Sequence, residues 1–100
     1  MVNNENVYQG KLIKKLKTMF PGCIISKLDS SHIQGIPDLL ILFKDKWAIL
    51  EVKKNEKAKH RPNQDYYVEK LNNMSFSAFI YPENEKEVLD ELSATFQSPR

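Results

Sequence analysis

Gly35-Ile36-Pro37-Asp38 opens into the apolar run Leu39-Leu40-Ile41-Leu42-Phe43, breaks at Lys44-Asp45-Lys46 and resumes as Trp47-Ala48-Ile49-Leu50-Glu51-Val52-Lys53. Each run has strand length and the break is short, so the stretch reads as an antiparallel hairpin. A turn centred on Lys44-Asp45 pairs residues whose numbers sum to 89 and sets Asp38 opposite Glu51. That dipeptide lacks the glycine favoured in two-residue turns. A four-residue loop shifts the sum to 91, with Asp38 opposite Lys53 and Glu51 one diagonal away. Side chains alternate along a strand, so both registers gather Asp38, Glu51 and Lys53 on one face, with opposed residues roughly 5 Å apart. A three-residue loop breaks this parity unless a bulge restores it.

Upstream, Tyr8, Leu12, Ile13, Leu16, Met19 and Phe20 recur at helical spacing from about Asn4 to Phe20, with Lys11, Lys14, Lys15 and Lys17 largely on the other side. Pro21-Gly22 ends that helix, Cys23 to Leu28 is a short strand, and Asp29 to Gly35 is a polar loop. Downstream, Asn55 to Arg61 is loop-like, and Pro62 is placed as the first residue of a helix. That helix turns Tyr67, Val68, Leu71 and Met74 inward and ends near Asn72-Asn73. Phe76 to Tyr81 reads as a fourth strand stopped by Pro82, and Asn84 caps a last helix with Val88, Leu89, Leu92 and Phe96 inward. Ser98-Pro99-Arg100 is expected to fray. The order αβββαβα predicts an α/β fold, a small central mixed sheet flanked by helices.

The 100 residues are expected to form a single domain spanning 1–100, since chains divide into several cores at two to three times this length. With 41% hydrophobic and 28% charged residues the composition is that of a globular domain, which excludes a disordered tail or a membrane protein. Cys23 is the only cysteine, so neither a disulfide framework nor a thiolate zinc cluster can form. Asn3, Asn4, Glu5 and Asn6 open the chain where a secretory signal would need an apolar run. The expected location is the cytoplasm of a bacterial or phage-infected cell. The net charge of +2 hides a division: residues 1–61 carry 12 basic and 6 acidic side chains, and residues 62–100 carry 3 and 7.

Like charges opposed in a sheet are destabilising, so Asp38 beside Glu51 calls for a cation or a raised pKa, and a bound divalent metal is the more economical of the two. Glu5 precedes Tyr8, Leu12 and Leu16 by three, seven and eleven residues, and Gln64 precedes Tyr67, Val68 and Leu71 by three, four and seven. Both therefore begin inward stripes. Glu5 also suits the positive end of a helix dipole, and Gln64 an exposed first turn. Hard oxygen donors of this kind fit Mg²⁺ or Mn²⁺. Lys53, Lys54, Lys57, Lys59, His60 and Arg61 form a basic run suited to phosphates, although such a run also occurs as a solvated loop. Trp47, Phe43, Phe76 and Phe79 are expected to pack, and Tyr66 and Tyr67 are candidates for stacking on bases, with at least one of them expected to pack in the core or an interface instead.

Gly35-Ile36-Pro37-Asp38, then twelve residues, then Glu51-Val52-Lys53, and Gln64 on the following helix resemble the PD-(D/E)XK nucleases. The pattern is similar in particular to the VRR-NUC branch, stand-alone virus-type nucleases akin to Holliday junction resolvases. Relatives with a Q-x-x-x-Y motif carry tyrosine where this chain has Val68. The resemblance implies a restriction-endonuclease-like core. It also implies that Asp38, Glu51, the Val52 carbonyl and Glu5 hold one or two Mg²⁺ ions, with Lys53 and Gln64 completing the catalytic set and Lys54, Lys57, Lys59, His60 and Arg61 meeting DNA. The expected substrate is branched DNA, preferably a four-way junction, whose symmetric cleavage needs two sites and hence a homodimer. A monomeric flap or single-strand nuclease, and an inactive DNA-binding module of the same fold, are the alternatives.

Overall fold

Leu12 and Leu16 lie within 1% of complete burial and Phe20 at 3%, the inward stripe of a helix that spans Asn4–Met19 (α1). Gly22, at φ 89°, takes the left-handed turn that follows Pro21. A computed structural model describes residues 4–98. After α1 come β1 (Ile24–Lys27), β2 (Leu39–Phe43), β3 (Lys46–Val52), α2 (Gln64–Met74), β4 (Phe76–Ile80) and α3 (Glu85–Gln97). No helix among the described residues is long and apolar enough to cross a membrane.

The sheet runs β1-β2-β3-β4, with β1–β2 and β2–β3 antiparallel and β3–β4 parallel. A parallel neighbour needs a crossover, which α2 supplies. In the hairpin Leu39 pairs with Leu50 and Phe43 with Lys46, so the register sum is 89 and the longer loop is excluded. Lys44 takes φ 57°, the left-handed conformation that glycine would have made easier.

Alternation then sorts the sheet into two faces. Leu39 and Ile41, Ala48, Leu50 and Val52, and Ile80 are fully buried in one cluster with Leu12 and Leu16 of α1 and Val88, Leu89, Leu92 and Phe96 of α3. Phe20, Phe43 and Phe96 meet at one end with ring centroids 5.0–5.5 Å apart. The opposite face carries Ile49, Glu51 and Ser77, and α2 packs there against β3 and β4. The end of α2 and the start of β4 are also tied to β3 by hydroxyls: Ser75 Oγ donates to the Trp47 carbonyl and Ser77 Oγ to that of Ile49.

Three local expectations are corrected. Helix α2 starts at Gln64, because Arg61 to Asn63 form a turn in which Asn63 has φ 71° and Pro62 stays outside the helix. Met74, the last residue of α2, is 64% exposed instead of turned inward, at the end where the helix closes on the Ser75 N–H to Leu71 carbonyl bond. Asn84 occupies the N-cap of α3, yet its side chain turns back: Oδ1 accepts from Tyr81 N and Nδ2 donates to the Phe79 carbonyl. At the other end Ser98 bonds to α3 through its N–H and Oγ, while Pro99 and Arg100, expected to fray, lie outside the described residues.

Helices α1 and α3 are tied by Glu85, which accepts from Tyr8 Oη at 2.8 Å and Lys15 Nζ at 2.6 Å. Burial pushes the Glu85 carboxyl up, but those two donors outweigh it and hold the group below its ordinary value. Tyr8→Phe is expected to lower stability by about 1 kcal/mol. Lys15→Ala, at a site 55% exposed, should have a smaller effect. Urea unfolding of the two variants checks the order, and a larger loss for Lys15→Ala would reverse the assignment.

Candidate active site

The hairpin register leaves Asp38, one residue before β2, beside Glu51 near the end of β3. Asp38 is anchored through its backbone and side chain: its carbonyl accepts from Leu28 N at 2.7 Å, and Oδ2 accepts from Val52 N at 3.0 Å. Pro37 is buried ahead of it, and Gly35 has φ 92°. A Cβ on Gly35 would lie 2.6 Å from Asn63 Cβ and 2.7 Å from the Asn63 backbone carbon. Glycine is therefore what allows the loop before Asp38 to touch the turn before α2, which brings Gln64 over the sheet.

Lys53 is 5% exposed, and its ammonium is held on three sides. It donates to Gln64 Oε1 at 2.8 Å and to the Lys59 carbonyl at 3.1 Å, and lies 3.8 Å from Glu51 Oε2. Gln64 Oε1 also accepts from Arg61 N at 2.8 Å, in the manner of a side chain reaching back to cap its own helix. One amide oxygen thus starts α2 and fixes the buried lysine.

Glu51 is only 2% exposed, and its Oε1 has no hydrogen-bond partner. Burial pushes its carboxyl up to about 8. The charge of Asp38 and a hydrogen bond that only the protonated form can share with it act in the same direction, as does Glu5, and Lys53 opposes them. An orphaned buried carboxylate oxygen facing a second carboxylate is the donor set a hard divalent cation fits. Among the described residues no three His, Cys, Asp or Glu side chains gather closely enough to hold an ion alone. Asp38 and Glu51 are accordingly the carboxylate core. Mg²⁺ commonly binds through one or two carboxylates and keeps its remaining positions for water and phosphate.

These groups line a cleft of about 700 Å³ that also holds Glu5, Gln64, Lys54, Lys59, His60 and Arg61. Of the residues singled out in the sequence, Lys57 lies elsewhere in the loop, where its N–H donates to Asn55 Oδ1. Val52 is fully buried, with its side chain in the core and its N–H engaged by Asp38. Tyr66 is 58% exposed and meets the half-buried Tyr67 edge-on at 5.0 Å.

Asp65 and Phe79 escaped the sequence reading as partners of the site. Phe79, expected to pack, does so by stacking on His60, with centroids 4.0 Å apart and planes 12° from parallel. His60 Nδ1 lies 2.7 Å from Asp65 Oδ1. An aspartate five residues after a histidine, on the first turn of a helix, is the only local trace of this pairing. Comparison with family models, curated proteins and solved structures returns no match to the chain.

Two outcomes follow from the geometry. The Glu51 pKa lies above its unfolded value of 4.5, so the folded state holds the proton more tightly and stability falls as pH rises from 4.5 to about 8. Metal-free Glu51→Gln should lack this decline and be the more stable protein above pH 8, by of order a few kcal/mol. Thermal melts across that range provide the check, and parallel curves for both proteins would refute it. Gly35→Ala should destabilise by of order 1–3 kcal/mol, read in urea titration, since both the positive φ and the backbone of Asn63 oppose a side chain there.

Proposed function

We propose that the protein is a metal-dependent endodeoxyribonuclease that hydrolyses phosphodiester bonds. The observation that carries this reading is the pair Asp38 and Glu51, with an unpartnered buried oxygen, beside a buried lysine in a cleft rimmed by basic residues. The resemblance of Gly35-Ile36-Pro37-Asp38 and Glu51-Val52-Lys53 to the PD-(D/E)XK nucleases, VRR-NUC type, supports it, as does the element order. On this reading the fold is the restriction-endonuclease-like core.

Asp38 and Glu51, with Glu5 lining the same cleft and the Val52 carbonyl added by the resemblance, are the residues to hold Mg²⁺ or Mn²⁺. Such an ion supplies Lewis acidity at the phosphoryl oxygen and lowers the pKa of bound water. Lys53, kept in place by Gln64 and the Lys59 carbonyl, bears against the negative charge that grows on the phosphoryl group. Lys54, Lys59 and Arg61 at the rim bind flanking phosphates and make affinity salt-dependent.

The preferred substrate in this reading is a four-way junction cut by a homodimer, with a flap or single-strand nuclease acting as a monomer as the alternative. Ile24 and Leu42, direct cross-strand partners on the edge of the sheet, are 62% and 41% exposed, and a second copy covering them would supply the second site. The test incubates purified protein with labelled junction, flap, single-stranded and linear duplex DNA, with Mg²⁺ or EDTA, and measures its size by light scattering. Asp38→Ala, Glu51→Ala and Lys53→Ala are each expected to slow cleavage at least about 100-fold. Cleavage insensitive to EDTA and to Glu51→Ala would refute the metal mechanism. Binding without cleavage in Mg²⁺ or Mn²⁺ would favour an inactive binding module, and a monomer in solution would exclude junction resolution.

A further inference from the structure

His60 is the most constrained exposed side chain near the site. Its ring lies flat on Phe79, and its Nδ1 is engaged by Asp65 on α2. Phe79 is the direct β4 neighbour of Glu51 on β3, and residues paired in this way project from the same face of the sheet. Phe79 thus holds His60 on the face of the sheet that carries Glu51, and His60 lines the same cleft as Asp38, Glu51 and Lys53. A ring needed only as a phosphate-binding cation on a loop would require neither a stacking partner nor a carboxylate to orient it. Together they fix the plane and the rotation of the imidazole, and with Nδ1 committed to Asp65 the nitrogen left to exchange a proton is Nε2.

We propose that His60, oriented by Asp65 and Phe79, is the general acid that protonates the departing oxygen of the cleaved phosphodiester. The proposal rests on the nuclease reading and deepens it. Water attacks phosphorus and yields one proton to solvent, and the bond from phosphorus to the departing bridging oxygen breaks. The Nε2 proton of the imidazolium passes to that oxygen, leaving an alcohol and a phosphomonoester, and the imidazole regains a proton from solvent. Asp65 of α2 lies beside the ring, and the charged groups that share its cleft are Glu5 of α1, Asp38 ahead of β2, Glu51 of β3, and Lys53, Lys54, Lys59 and Arg61 of the segment that follows β3. Asp65 acts through His60 and is a positioning residue.

The test compares two Mg²⁺-containing reactions once the cut has been mapped: the ordinary substrate, and one with sulfur replacing the departing bridging oxygen. A thiolate leaves without protonation. His60→Ala is expected to slow the oxygen substrate about 100-fold or more, in the range of general-acid catalysis, and the sulfur substrate less than threefold. Asp65→Asn should reproduce this selective loss on the oxygen substrate in weaker form. His60→Gln, which can keep a hydrogen bond to Asp65, should behave as His60→Ala does, and this guards against a loss of folding in the smaller variant. Equal slowing of both substrates would reduce His60 to a phosphate contact and overturn the proposal, as would no slowing of either. Wild-type protein that cuts neither substrate, or cuts both undiminished by Glu51→Ala, would overturn the nuclease reading and this role with it.

Discussion

The arrangement depends on a carboxylate that the fold buries at a loss. Glu51 stands on the central part of the sheet at 2% exposure, beside Asp38, with one oxygen unsatisfied. An unpaired buried acceptor costs about 1–3 kcal/mol, and more when charged. What holds it there is its position in β3, where Leu50 and Val52 on either side are fully buried on the opposite face. Releasing Glu51 from the cleft would mean a one-residue slip of the strand, and that slip would take Ala48, Leu50 and Val52 out of the core formed with α1 and α3 and turn Glu51 into it. The core thus sustains the strain of the site through the two-residue period of a strand.

The same period explains why the lysine is organised as it is. Lys53 shares the face of Glu51 but lies past the end of β3, where strand pairing no longer positions it. Its backbone N–H still bonds to the Ile80 carbonyl, while its ammonium is gathered by Gln64 and by the Lys59 carbonyl. The basic loop is therefore part of the site in two senses. It offers positive side chains to the cleft, and it folds back so that its main chain holds the central cation. The close approach of Gly35 to Asn63 binds the two loops that flank this arrangement, so the segments before β2 and before α2 act as one rim.

Much of the fold and the core of the site could be read from residue order alone. The apolar runs on either side of Lys44-Asp45 have the lengths and parity of a hairpin, while the choice between the sums 89 and 91 came only with the observed pairing, which is 89. Glu51 and Lys53 followed from alternation alone, and Gln64 from its helical spacing ahead of Tyr67 and Leu71. The start of α2 was harder, because a side chain and a left-handed Asn63 do the work that Pro62 suggests for itself. Met74 misled because helical spacing says which side a residue faces but not where the sheet beneath it ends. Lys57 misled because charge density along the chain does not report which side of a loop each residue takes.

His60 shows where such reading stops. Its neighbours in sequence are basic, so by composition it belongs with Lys59 and Arg61 as one more positive group. In space it differs from both: an aromatic ring from another strand fixes its plane, and a carboxylate fixes its rotation. The stacking partner is nineteen residues away and is brought close only because β4 lies parallel to β3, with Phe79 level with Glu51. A conformationally free cation suffices to attract a polyanion. An imidazole held in plane and in rotation is a different kind of group, and the parallel pairing of β3 with β4 supplies one of its two restraints through the strand that neighbours Glu51.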